Sequence, residues 1–293
     1  MLDRVVLGTA QFGSMYGVNN STGPMSLKEM QGILSLCSKN TISHLDTAYS
    51  YGDAESKLGS LGMTEFYLTT KIPSLGPELF QTGIITKYLQ ESLLRLNLQK
   101  VHGLMLHNAA DLNQNKHLFA ELAELKDDGL IGNIGVSIDD FKLLRELIDQ
   151  YELDFIQCPF NILDRRLLQD NLLDDLVERN ITIYARSIFL QGLLLMSQKD
   201  VPEIFAPWTS LLDSWFKWLD QNDCSAYEAC LSFCLHHKKV DYFVIGVDNS
   251  EQINKLIDYS LTETMLVDAL VFPDSMYSND LGLINPFNWT RNI

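Results

Sequence analysis

Residues 133–158, NIGVSIDDFKLLRELIDQYELDFIQC, decide the reading of the fold. The stretch opens on a short apolar run, Asn133–Val136, and closes on another, Phe155–Cys158. Between them, Asp139-Asp140 can cap a helix start, and Phe141–Tyr151 carries a helical pattern. Continuous apolar runs of four to six residues are what parallel strands look like when both faces are buried. A strand–helix–strand unit is predicted here.

The same pattern recurs in both directions. Upstream strands are predicted at Val5–Thr9, Ser43–Asp46, Phe66–Thr70 and Gly103–Leu106, and downstream strands at Ile181–Ala185 and Tyr242–Ile245. Helices are predicted at Ile84–Leu96, with apolar Ile85, Leu89, Leu93 and Leu96, and at Leu118–Leu125 before the stop Asp127-Asp128-Gly129. Eight strands alternating with helices in a chain of 293 residues predict an α/β protein, a single (β/α)8 TIM barrel over residues 1–293. Its C-terminal tail would run over 272–293. The competing fold is an open doubly wound sheet. Against it, Gly8, Gly13 and Gly17 do not spell GxGxxG, and no helix is expected directly after the first strand. The longest gap lies between strands seven and eight. It holds Trp208, Trp215 and Trp218, which predicts an extra loop or helix.

Composition narrows the function. Hydrophobic residues make up 46% and the net charge is −16, so the chain can build a large core and is a poor candidate for binding nucleic acid or an anionic membrane. No run is long and apolar enough to span a bilayer, and the start Met1-Leu2-Asp3-Arg4 has no signal-peptide pattern. Five cysteines, an odd number, fit reduced thiols and a cytoplasmic location. Cys230 and Cys234, with His236 and His237 behind them, would allow a metal. Without a CxxC pair they read better as a buried helix face, and no metal is expected.

In a barrel the chemistry sits where strands run into the βα loops. The strand ends here carry Gly8-Thr9-Ala10, then Asp46 followed by Thr47-Ala48-Tyr49-Ser50-Tyr51-Gly52, then Lys71, His107, Ser137, Gln157-Cys158-Pro159-Phe160-Asn161, Arg186-Ser187 and Gly246-Val247-Asp248-Asn249. An acid, a phenol, an amine and an imidazole thus come from three successive strand ends. A phenol near pKa 10 is a poor acid at neutral pH, and a nearby ammonium should lower it. A lowering of about three units corresponds to about 4 kcal/mol. The carboxylate would hold the ammonium charged, and the imidazole would orient a substrate oxygen.

At these residues the sequence resembles the aldo-keto reductases. LGTAQFG, HLDTAYSYG-DAESKLG, LTTK, LMLH, IGVS, QCPFN, ARSIFLQGLL and VIGVDNSEQI are similar to family motifs in order along nearly the whole chain. The ending Leu283-Ile284-Asn285-Pro286-Phe287-Asn288-Trp289 also resembles bacterial members that accompany sugar-modifying enzymes. The resemblance implies a catalytic tetrad at Asp46, Tyr51, Lys71 and His107. In it Tyr51 donates the proton, Lys71 and Asp46 tune it, and His107 orients the carbonyl. It also implies a nicotinamide cofactor, NADP(H) with NAD(H) as the other choice, and a small-molecule carbonyl or sugar substrate.

The cofactor positions implied by the resemblance are Gly8 and Thr9, Asp46, Ser137 and Gln157 for the carboxamide, and Arg186 over the nicotinamide face. Ser187, Leu190 and Gly192 would wrap the pyrophosphate. Gly246, Asn249, Ser250 and Gln252 follow at the last strand. Ile138 stands where members usually have Asn. The stretch Gly246–Gln252 lacks Lys and Arg, and Asp248 would repel a 2′-phosphate, although Asn249, Ser250 and the next helix start could still hold an anion. A weakened NADP preference is therefore expected. Trp289 is expected on the substrate side.

The leading function is an NAD(P)H-dependent reductase of aldehydes, ketones or sugar-like carbonyls. The alternative is a low-turnover nicotinamide-binding, redox-sensing partner subunit. A third class, a lyase using Lys71 as a Schiff-base amine, is disfavoured because Asp46 would keep that amine protonated.

Overall fold

A computed structural model describes residues 1–13, 25–76, 81–262 and 270–289. Eight parallel strands close in chain order: β1 Val5–Gly8, β2 His44–Asp46, β3 Tyr67–Ile72, β4 Val101–Leu106, β5 Ile131–Ser137, β6 Phe155–Pro159, β7 Thr182–Arg186 and β8 Tyr242–Gly246. The ring closes where β1 pairs with β8, Gly8 opposite Gly246. This is a (β/α)8 TIM barrel, with helices around the sheet.

Local chemistry places the helices. Asp140 caps the helix Phe141–Gln150 by accepting from the N–H groups of Lys142 (2.9 Å) and Leu143 (3.2 Å). The helix Ile84–Leu96 ends at Asn97 in the left-handed region, φ 53°. The helix His117–Asp127 stops before Gly129, φ 72°.

Two expectations need correction. Lys71 was expected just beyond its strand, but β3 continues to Ile72 because Lys71 and Ile72 pair with Met105 and Leu106. A helix does follow the first strand at once, Ala10–Gly13, closed by the Phe12 N–H on the Thr9 carbonyl (3.0 Å). Four residues are too few to show a 3.6-residue period.

The barrel is filled, not open. Val6, Met105, Phe155 and Tyr184 form its inner layer. Phe155 reaches across toward β4 and β5, where Gly103 and Gly135 leave room. A Cβ on Gly135 would lie 2.6 Å from the Phe155 ring. The long β7–β8 connection holds two helices, Thr209–Gln221 and Ala226–His236. Trp215 and Trp218 stack at 5.8 Å and are buried, donating to the carbonyls of Leu194 and Val271.

Trp289 does not face a substrate. It is buried edge-on against Phe205 (4.8 Å), with its N–H on the Leu283 carbonyl (3.0 Å). An indole finds both an apolar bed and an acceptor there. Residues 290–293 of the tail, and Gly17, lie outside the described residues. Among those described, no helix is long and apolar enough to cross a membrane. All five cysteines are free thiols. Cys230 and Cys234 are buried, and His237 packs on Phe160 and Phe233. No group of three or more His, Cys, Asp or Glu converges among the described residues.

Candidate active site

A cleft of about 320 Å³ opens at the C-terminal ends of the strands. It runs from Asp46 and Tyr51 across Gly8 and Gly246 to Asp248, Gln252 and Lys255.

At one end lies a buried ion pair. Asp46 is in register with Thr69, and Lys71 is two residues further along β3, on the same face of the sheet. Lys71 Nζ donates to both Asp46 oxygens (2.7 and 2.6 Å) and to the Thr47 carbonyl (2.9 Å). Side-chain exposure is 1% for Lys71 and 5% for Asp46. Gln157 donates its amide to Asp46 Oδ1 (2.7 Å). Three acceptors consume the three N–H bonds of an ammonium, so Lys71 offers no lone pair for a Schiff base.

Tyr51 hangs over this pair on the turn after β2. Lys71 Nζ lies 5.0 Å from the centre of its ring. The turn is held by backbone packing against the Ala10–Gly13 helix. Gly52 has φ +55°, and a Cβ there would lie 2.3 Å from the Gly13 carbonyl oxygen. A Cβ on Gly13 would strike the Tyr51 carbonyl at 1.8 Å. Only glycine permits both the left-handed turn and the approach. Lys57 adds a bond to the Phe12 carbonyl (2.8 Å).

The phenol is not acidified, contrary to expectation. Burial pushes the Tyr51 pKa well above its ordinary value, and the Asp46 charge adds to that, while Arg186 pulls the other way. Lys71 is neutralised by Asp46 at hydrogen-bond distance, so its field at the phenol is largely cancelled. Tyr51 is therefore a protonated donor at neutral pH.

His107 stands edge-on to Tyr51, with ring centres 5.9 Å apart. Burial, then Lys71 and Arg186, push its pKa down to about 4. The ring is neutral at pH 7, with Ser50 Oγ 3.2 Å from Nδ1. When the serine donates there, Nε2 carries the hydrogen and can donate in turn.

Of the positions implied for a cofactor, Gly8, Thr9, Asp46, Gln157, Arg186, Ser187, Gly192, Gly246 and Gln252 line the cleft. Gly8 and Gly246 face each other in register, so neither adds a side chain to the floor. The Gln11 amide lies over it, where a Cβ on Gly246 would come within 2.5 Å. Arg186 is held by Asp139 (2.8 Å). The loop after β7 puts Ser187, Leu190, Gln191 and Gly192 at φ +59°, +47°, +52° and +95°. Three non-glycine residues in that region are costly, which marks the loop as shaped for a task.

Other positions are placed elsewhere. Ser137 is buried as the register partner of Gln157. Leu190 is wholly buried and belongs to the core, because its backbone twist turns the side chain inward. Asn249 accepts the Gln252 N–H (3.1 Å), a helix cap. Ser250 donates both its N–H (2.6 Å) and its hydroxyl (2.7 Å) to Glu29 Oε1. Neither lines the cleft.

Sequence reasoning missed Gln11, Phe189, Gln191, Tyr227 and Lys255, which all line the cleft. Gln11 sits inside the LGTAQFG run, and Lys255 is three residues after Gln252 on one helix, so spacing could have found both. Tyr227 stacks on Phe189 at 5.4 Å across a long insertion and carries no local signal.

The model of the aldo/keto reductase family matches residues 4–268 of the chain. Among solved structures, an aldo-keto reductase of Bacillus halodurans in its holo form is similar, with 18% identity and a TM-score of 0.71. The match covers 93% of this chain and 95% of that one. A glycerol dehydrogenase of Gluconobacter oxydans is similar at 20% identity and a TM-score of 0.64, over 89% of this chain and 92% of that one. No curated protein matches.

Proposed function

The chain belongs to the aldo/keto reductase family, and from that premise we propose that it reduces an aldehyde, ketone or sugar-like carbonyl with Tyr51 as the general acid. The observation that carries this reading is the buried Lys71–Asp46 pair beneath a protonated phenol at the wall of an open cleft. The bare floor at Gly8 and Gly246 and the twisted Ser187–Gly192 loop suit an extended dinucleotide. When bound, the nicotinamide cofactor supplies the hydride.

The protein's own groups do the rest. A carbonyl oxygen gaining charge needs a proton, and the Tyr51 hydroxyl holds one. Neutral His107 donates a hydrogen bond that orients that oxygen. Once Tyr51 has given up its proton, the Arg186 guanidinium stabilises the phenolate. Asp46 keeps Lys71 charged, and Gln157 keeps Asp46 in place. General acid help of this kind contributes about 10²–10⁴ in rate.

The test is carbonyl-dependent oxidation of reduced nicotinamide across a panel of aldehydes, ketones and sugar aldehydes. Tyr51→Phe should lose about 10²–10⁴-fold in turnover. Its affinity for the cofactor should stay within about threefold, under 1 kcal/mol. A Tyr51→Phe protein with wild-type turnover overturns the assignment.

A further inference from the structure

The reacting end of the cleft is at Tyr51, so a dinucleotide must lay its other nucleoside at the opposite end. There β8 runs into the helix Ser250–Thr262. A nucleoside carrying a 2′-phosphate would need donors or cations at that end. A nucleoside with a free 2′-hydroxyl needs an acceptor.

Among the described residues, several of the donors there are already committed. The N-terminus of the Ser250–Thr262 helix would be the natural anion site. It is occupied by a carboxylate from within the chain, since Glu29 Oε1 takes both the N–H and the hydroxyl of Ser250. Those bonds hold the Glu29 carboxyl below its usual range, so it is charged. The Asp248 N–H is taken by Gln252 Oε1 (2.9 Å). The Asn249 Oδ1 is taken by the Gln252 N–H (3.1 Å). Lys255 lines the cleft too, but its ammonium lies over the Tyr227 ring at 4.4 Å.

An acceptor, by contrast, is left over. Asp248 lines the cleft, and its Oδ2 sits 3.3 Å from the Gln252 amide. Its Oδ1 is buried with no hydrogen-bond partner. A buried carboxylate oxygen without a donor is unfavourable, and a turn of the Asp248 side chain that brings Oδ1 to the cleft would let a ligand hydroxyl donate to it.

We propose that this end of the cleft selects NAD(H) over NADP(H), with Asp248 receiving the ribose hydroxyls and Glu29 filling the place a phosphate would take. This deepens, and rests on, the reading of the cleft as a dinucleotide site. Asp248 and Glu29 are specificity residues, and neither touches the reacting atoms.

The experiment is direct binding, read by nicotinamide fluorescence and calorimetry, of NADH and NADPH to the full chain and to Asp248→Asn, Glu29→Gln and the double variant. The wild type should bind NADH at least about tenfold more tightly than NADPH. The double variant should narrow that gap at least about tenfold, mainly through a gain in NADPH affinity. Wild-type protein that binds NADPH as tightly as NADH, or more tightly, overturns the proposal and makes Lys255 the phosphate partner. A double variant that keeps its NADH affinity and gains nothing for NADPH overturns the roles of the two carboxylates. If Glu29→Gln unfolds, Asp248→Asn alone decides by the same criterion. Protein that binds neither dinucleotide sinks the reductase reading itself, and this proposal with it.

Discussion

The two ends of the cleft handle charge in opposite ways. At the Tyr51 end, a buried cation and a buried anion cancel each other, and every donor of Lys71 has an acceptor. At the β8 end, negative groups gather: Glu29 sits on a helix N-terminus, and Asp248 keeps one oxygen unmatched. In the proposed reaction, the first end is preorganised to leave the phenol protonated until a substrate oxygen asks for the proton. The second, on the proposal above, is completed by its ligand. Reactivity needs a site finished in advance, whereas selectivity can be held in one that the right ligand finishes.

The sharpest way to break the comparison is to remove one partner of the finished pair. Lys71→Met leaves the buried Asp46 with no cation and only the Gln157 amide for a partner, which should cost about 3–5 kcal/mol in urea unfolding. Adding Asp46→Leu should return most of that stability without returning activity. If Lys71→Met alone loses less than about 1 kcal/mol, the pair is better solvated than its burial implies.

A smaller effect is expected one layer out, where backbone packing sets the phenol. Gly52→Ala must hold φ +55° and meets the Gly13 carbonyl at 2.3 Å, which should cost about 1–3 kcal/mol. Because the strain falls on the turn carrying Tyr51, turnover should drop more than cofactor affinity. Equal losses in both would place the damage elsewhere.

A further test is acid. His44, His107 and His237 are pushed down to about 4, chiefly by burial. Unfolded, each titrates near 6.5, so the unfolded chain takes up protons first as the pH falls. The stability these neutral rings provide is complete above about pH 6.5 and is lost progressively toward pH 4. Chemical denaturation at stepped pH should show that decline. A flat profile over the window would mean that the rings are solvated. His44, ringed by Tyr67, His102 and Tyr242 with its Nδ1 unpartnered, lies away from the cleft and should contribute even in inactive variants.

Much of the architecture was readable in one dimension. The Asp140 cap and the helix Ile84–Leu96 rest on contacts between near neighbours, which leave periodic traces, and the eight strands show as apolar runs because both their faces are buried. The order of the rim residues was legible for the same reason, because each strand delivers its last residue to one edge. The chemistry at that rim was harder to read. That Lys71 would be cancelled by Asp46, and that burial would set the Tyr51 pKa, depends on distances and desolvation that no spacing records. Leu190 was misplaced because its left-handed backbone turns the side chain into the core, and nothing about leucine announces that.

Hydrophobic patterning and the missing GxGxxG together pointed to a barrel that brings an acid, a phenol, an amine and an imidazole to one edge, because strand period and strand count carry that much. Which groups remain free to meet a ligand was decided only on closure. Glu29 reaches Ser250 across 221 positions of sequence, and Tyr227 meets Phe189 across a long insertion. Hydrogen bonds and stacking act through space, and the chain order holds no record of which donors they will use up.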